Sequence, residues 1–275
     1  MQCDARTHVG NVASHNEDTV FGNDNEKLWI VSDGMGGHAA GEVASDMVVK
    51  GLQASYAKGE SLPSAVESVH KAVVYEAQKT SATKGMGATV VAMNAVDDSY
   101  RITWVGDSRA YMLRRNKLQL LTRDHSYLEY LKANGIAVEE ARQHPKRHVI
   151  TQCIGNGDPH PCEVNGVIKP GDRFLLCSDG LNDELTRGEI LSILRSTEPS
   201  DVVSEKLINA ALEKGGRDNV SVIVIDADPV KRNPFFLPIE MTAHYLASIN
   251  SKILLPVAAG ITLAMLLAVV LIILR

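Results

Sequence analysis

Short apolar runs alternate with polar turns along most of this chain. Leu28 to Ser32, Ala88 to Ala95, Tyr100 to Val105, Ala110 to Leu113, Arg173 to Cys177 and Val220 to Ile225 are short, β-prone and bounded by turn residues, so each predicts a strand. Two segments follow a helical period instead. Val43, Met47, Val48 and Leu52 mark one face of Glu42 to Tyr56, and Val66, Val69, Val73 and Ala77 do so for Ala65 to Gln78. Val202 to Leu212 repeats that spacing. Arg101–Val105 and Ala110–Leu113 lie close enough in sequence to predict a hairpin, which favours antiparallel sheets. Two helices after the first strands, with more helical pattern near the end, suit layered sheets flanked by helices better than a regular βαβ alternation.

The C-terminus departs from this pattern. Ile253 to Leu274 is an uncharged apolar stretch of 22 residues, long enough to cross a bilayer core, broken only by Pro256 and Gly260. Lys231, Arg232 and Lys252 precede it and only Arg275 follows, so the positive-inside rule predicts a single-pass membrane protein with its large domain in the cytoplasm. The chain therefore divides into a globular domain over 1–228, a juxtamembrane connector over 229–252 marked by Pro229, Pro234 and Pro238, and a transmembrane helix over 253–274. Met1 to Arg6 contains no apolar signal-peptide core.

Charge and cysteine content narrow the function classes. A formal net charge of -5 argues against broad nucleic-acid binding. The four cysteines form neither a CxxC pair nor a zinc-ligand spacing, and Cys153 and Cys177 read as small core residues.

The candidate chemistry is carboxylate chemistry. Acidic residues stand at five predicted strand ends or turns: Asn16-Glu17-Asp18, Ser32-Asp33-Gly34, Gly106-Asp107-Ser108, Ser178-Asp179-Gly180 through Asp183, and Arg217-Asp218-Asn219. The near repeat of Val31-Ser32-Asp33-Gly34 and Cys177-Ser178-Asp179-Gly180 brings an Asp to the end of an apolar strand twice, with a glycine to turn the backbone after it. One Asp-Gly is ordinary turn chemistry. Two matched ones with three further acidic turns point to a shared site. Converging carboxylates repel one another unless cations neutralise them, and an all-oxygen set selects Mg²⁺ or Mn²⁺ over zinc. Two such ions stabilise in-line attack on phosphorus, so the residues predict a multi-metal phosphohydrolase.

In this order the motifs resemble the metal-dependent protein phosphatase family (PPM, or type 2C) in its compact bacterial form. The resemblance spans about residues 7–226 and adds Gly85-Met86-Gly87-Ala88-Thr89 and Leu121 to Ser126 to the acidic segments. It implies an α/β sandwich of the α+β class, two mainly antiparallel β-sheets flanked by helices on both faces, with the metal site at one edge. By matching motif it implies that Asp18, Asp33, Asp179 and Asp218 bind a central metal pair, that the Gly34 carbonyl completes it and that Glu17 acts through water. Asp107 and Asp183, with Asp179, match a looser third metal site. The implied reaction is hydrolysis of phosphoserine or phosphothreonine by a hydroxide bridging two metal ions. The implied partners are phosphoproteins and a cognate serine/threonine kinase.

Two positions depart from the family. Bacterial members carry a phosphate-gripping Arg between the Gly and the Asn-Glu-Asp; Ala13 stands there, and Arg6 and His15 are the nearby groups to replace it. Met35 occupies the place where some eukaryotic members have a histidine, and His38 is close but does not match. The competing expectations are a phosphoprotein-binding pseudophosphatase scaffold, which Ala13 favours and the intact carboxylate set opposes, and a hydrolase of small phosphate esters. The segment from Asp124 to Gly155, with Tyr127, Tyr130, Lys132, Arg142, Lys146 and Arg147, falls where the family varies most and is a candidate substrate-docking flap.

Overall fold

The structure, a computed structural model, describes residues 1–36, 40–81 and 83–227. His38, the connector and the apolar stretch over 253–274 lie outside the described residues. Among the described residues, no helix is long and apolar enough to cross a membrane.

The chain begins with β1 (Gln2–His8), β2 (Asp18–Asn23) and β3 (Leu28–Met35), then forms α1 (Ala40–Ala57) and α2 (Leu62–Ala77). Five strands follow: β4 (Gly87–Ala88), β5 (Val90–Val96), β6 (Ser99–Val105), β7 (Arg109–Arg114) and β8 (Lys117–Leu120). Two short helices, α3 (Tyr127–Ala133) and α4 (Val138–Gln143), precede β9 (Cys162–Val167) and β10 (Arg173–Cys177). The described part ends with α5 (Asp179–Glu184), α6 (Arg187–Leu194), α7 (Ser200–Lys214) and β11 (Val220–Asp226). One sheet has the order β1-β11-β10-β7-β8 and the other β2-β3-β5-β6-β9, with β4 on β3; all pairings are antiparallel.

Strand alternation sorts the apolar residues into three layers. Trp29 and Val31 of β3 meet Phe174 and Leu176 of β10 and Ile223 and Ile225 of β11 between the sheets. Leu28 and Ile30 point the other way, under Val48 and Leu52 of α1 and Val66 and Val69 of α2. Leu175, Val222 and Val224 likewise face Leu181, Ile190 and Leu207 of α5, α6 and α7. Because side chains on a strand alternate between faces, strands covered on both sides must be apolar at every position, which is why they read as continuous apolar runs.

One pairing differs from expectation. β6 and β7 do not form a hairpin: β6 pairs with β5 and β9, and β7 pairs with β8 and β10 in the other sheet. Gly106 has φ +104°, and a Cβ there would come within 2.6 Å of Thr89, so only glycine makes this crossing without strain. The crossing carries Asp107 from one sheet to the other. The role expected of the glycine after each Asp also changes. Gly34 continues β3 and Gly180 lies in α5, and neither has a positive φ. A Cβ at Gly34 would lie 2.0 Å from the Gly41 carbonyl oxygen, and one at Gly180 would lie 2.0 Å from that of Asn219. These glycines allow close backbone approach rather than a turn.

Sequence reading did not anticipate β1, β2, β8, β9 or α3 to α6. Thr186 and Glu189 form a reciprocal capping box that starts α6. Ser126 caps α3. The four cysteines are free; Cys177 is buried in the core, whereas Cys153 is only half-buried.

Candidate metal centre

Register places the first pair of carboxylates. Asp18, at the start of β2, is the direct partner of Asp33 in β3, and the Gly34 N–H donates to the Glu17 carbonyl at 3.1 Å. The other sheet supplies Asp179 just after β10 and Asp218 just before β11. A buried bond ties the two sheets here: Ser178 Oγ donates to Asp18 Oδ2 at 2.8 Å and accepts from the Ser221 N–H at 3.0 Å. A second support lies below Asp33. Its N–H donates to Thr89 Oγ1 at 3.2 Å, and Thr89 Oγ1 lies 2.7 Å from Ser108 Oγ, beside Asp107. Glu17 reaches the first turn of α1; burial raises its pKa, against the Gly41 N–H, which favours its charge.

The electrostatics register the convergence. Burial, followed by the charges of Asp18, Asp179, Asp107 and Asp218, holds Asp33 well above the usual carboxylate range. Burial raises Asp18 to about 7 against the opposing hydrogen bonds of Ser221 and Ser178, with Asp179 and Asp218 adding repulsion. Burial also raises Asp107 to about 8, with Asp179 and Asp124 contributing, and Asp179 to about 6, with Asp183 and Asp218 contributing. Acids in this state give up their protons to water when a cation binds.

Two oxygens test whether a cation fits. Asp18 Oδ1 and Asp107 Oδ1 are buried acceptors with no hydrogen-bond partner among the described residues. Orphaned buried carboxylate oxygens are costly, and a hard divalent ion is the partner that suits an all-oxygen set. The residues fit Mn²⁺ or Mg²⁺. Among the described residues no three of these side chains already close around one point at ligand distance. Asp179 lies within hydrogen-bonding reach of a protonated Asp33, and Asp218 Oδ1 accepts its neighbour's N–H.

Asp107, Asp179 and Asp183 line a single cavity of about 330 Å³. Arg109 and Asp124 form one wall as a bidentate pair at 2.6 to 2.9 Å, and Arg142, Arg147 and His148 reach the cavity from the segment holding α3 and α4. That segment is pinned at its base by paired bonds, His125 N–H to the Gly106 carbonyl and Thr151 N–H to the His125 carbonyl. Burial lowers the pKa of His125.

Arg6 does not replace the missing arginine. It is engaged by Asp4 at 2.8 Å and by Glu205 of α7 at 3.4 Å. His15 is exposed and pairs with Ser14. Sequence reasoning assigned no role to Ser178, Thr89 or Asn219, although the serine shared by the two Ser-Asp-Gly segments was a visible signal.

Acidic side chains brought from both sheets to one edge of a four-layer sandwich define a divalent-metal hydrolase. The family model for protein phosphatase 2C matches residues 8–214, and the chain belongs to that family of metal-dependent protein serine/threonine phosphatases. The serine/threonine phosphatase Stp of Listeria monocytogenes is 35% identical over 245 residues, covering 83% of this chain and 96% of its own. The crystal structure of Mycobacterium tuberculosis PstP/Ppp shares 35% identity with a TM-score of 0.75, covering 82% of this chain and 97% of that one. A structure of the PstP catalytic domain in complex with two manganese ions is 32% identical, with a TM-score of 0.73 and the same coverage.

Proposed function

We propose that this chain hydrolyses phosphoserine and phosphothreonine in proteins, using manganese or magnesium held by the residues at this edge. Asp18, Asp33, Asp179 and Asp218 take a central pair of ions, with the Gly34 carbonyl completing the set and Glu17 acting through water. Asp107 and Asp183, with Asp179, take a looser third. The observation that carries this reading is the meeting of carboxylates from both sheets with two orphaned acceptor oxygens among them. Bound there, the ions supply the charge that activates water and offsets the charge on the phosphate. The protein groups hold geometry: Ser178 fixes Asp18, Thr89 fixes the Asp33 backbone, and burial limits competing water.

Phosphate binding falls to the flap. Arg142, Arg147 and His148 line the cavity that Asp107, Asp179 and Asp183 also line. Arg142 reaches Glu139 at 4.0 Å, a weak exposed pair, and Arg147 has no ion pair among the described residues. Arg142 and Arg147 supply the guanidinium groups that Ala13 does not. The test is steady-state release of phosphate from a phosphothreonine peptide by the full chain with Mn²⁺, Mg²⁺ or EDTA. Turnover is expected with either metal and not with EDTA. Arg147→Ala is expected to raise KM roughly tenfold, the worth of one charged hydrogen bond, with kcat little changed. Adding Ala13→Arg to that variant should bring KM down again. No turnover from folded, metal-loaded protein would leave the phosphoprotein-binding scaffold in place of the enzyme.

The apolar stretch over 253–274 supports a membrane tether with the catalytic domain on the cytoplasmic side. Tethering raises the effective concentration near membrane-bound phosphoproteins and a kinase whose products the enzyme removes. The full chain is expected to stay in the membrane pellet after an alkaline carbonate wash. Its release into the supernatant would remove the tether from this account.

A further inference from the structure

We infer that Asn219 is a positioning residue that sets Glu17 and Asp18 against Asp218, and so determines how tightly the site binds metal. This rests on the metal-site reading above. The loop between β1 and β2 must carry the chain from one sheet to the other and end with Glu17 and Asp18 in place. It has no regular secondary structure; of its two valines Val12 is 71% exposed and Val9 is only half-buried, so apolar packing does little to fix it.

One side-chain amide ties both ends of the loop to Glu17. Asn219 Nδ2 donates to the Val9 carbonyl at 2.8 Å and to the His15 carbonyl at 3.0 Å, near the two ends of the loop. Its Oδ1 accepts from the Glu17 N–H at 2.7 Å. Its own N–H donates to Asp218 Oδ1 at 2.7 Å, which sets that carboxylate's rotamer. Asn219 is buried, so each of these bonds is made away from competing water. Two donors and an acceptor on a single short side chain are available only from an amide. Aspartate has no donor when ionised, a hydroxyl has one, and glutamine is a methylene longer.

A second polar contact in the same loop serves as the contrast. Asn11 Nδ2 donates to the Leu212 and Gly215 carbonyls at 2.8 and 3.0 Å, anchoring the loop to the end of α7 without touching Glu17, Asp18 or Asp218. Loss of Asn11 costs stability alone; loss of Asn219 costs alignment of the acidic residues as well.

The experiment is calorimetric titration of Mn²⁺ into the full chain in detergent, for the unmutated protein, Asn219→Ala and Asn11→Ala, with melting in EDTA as the measure of stability. Asn219→Ala is expected to weaken Mn²⁺ binding by about 10–100-fold, the usual effect of removing a group that orients metal ligands. Asn11→Ala is expected to lower the melting temperature and leave the Mn²⁺ dissociation constant unchanged. Equal Mn²⁺ affinity in all three proteins would overturn the inference and leave the metal site standing. Failure of the unmutated protein to bind Mn²⁺ would overturn the site itself. Should Asn219→Ala not fold, Asn219→Ser takes its place. Amide exchange in the unmutated chain gives a further reading: Glu17 N–H protected as well as the core strands is expected, and free exchange overturns the clasp.

Discussion

Asp33→Asn is expected to make the metal-free protein more stable while lowering kcat/KM by more than about 100-fold. The two effects have one cause. Asp33 faces the charges of Asp18, Asp179, Asp107 and Asp218 from a buried position, and without a cation burial and these charges favour its protonated form. In that form its O–H is within reach of the Asp179 carboxylate. An asparagine presents an N–H where the protonated acid presents its O–H, so the bond survives and the buried charge conflict is relieved. At pH 8, where the native acids are driven to ionise, the EDTA-treated variant should melt several degrees higher than the parent; each kcal/mol is worth about 2–4 °C at this size. The neutral amide is a poor ligand for a hard cation. Loss of groups that merely orient ligands costs 10–100-fold, so loss of a ligand costs more. Melting in EDTA and in Mn²⁺, with phosphopeptide kinetics alongside, checks both halves. Activity within tenfold of the parent would remove Asp33 from the ligand set, and a lower metal-free melting temperature would remove the charge-conflict account.

The second large effect is on stability against pH. Asp18, Asp107 and Asp179 are raised to about 7, 8 and 6, and Asp33 is held well above its usual value. In the unfolded chain such acids titrate near 4. Between about pH 4 and 8 the folded protein therefore holds more protons than the unfolded one, and its stability falls as pH rises through that window. The acids share their repulsion, so the total is on the order of a few kcal/mol rather than a sum of separate terms. Mn²⁺ replaces the protons as the neutralising charge, and its binding strengthens as pH rises. In EDTA the melting temperature is expected to fall between pH 6 and 8.5, and the gap between Mn²⁺ and EDTA melts is expected to widen. An EDTA melting temperature that rises over that range, or a constant gap, contradicts the arrangement.

Both predictions rest on acids legible in the sequence, yet their interaction is tertiary. Asp33 and Asp179 announce themselves through the repeated Ser-Asp-Gly after an apolar strand. Asp18 and Asp33 are 15 positions apart but become direct partners through the β2–β3 register. The serine of the second repeat reaches across to Asp18 in the other sheet, 160 residues away. Its role depends on how two sheets stack, and no local pattern encodes that.

The division follows from the range of the interactions involved. The periods of the apolar strands and of α1, α2 and α7, and the apolar stretch over 253–274, depend on neighbours a few residues away, and the sequence alone determined them. Pairing partners depend on which faces find a complementary surface. β6 and β7, three residues apart, read as a hairpin, but burial on both faces sends them to different sheets through Gly106. The same long-range packing brings Arg147 to the cavity of Asp179 and engages Arg6 with Asp4 and Glu205. It also turns Asn219 into the clasp of a loop 200 residues earlier in the chain. Residue types set which chemistry was possible, and only the packed sheets decided which groups meet, because burial is paid for by the whole core and not by any segment within it.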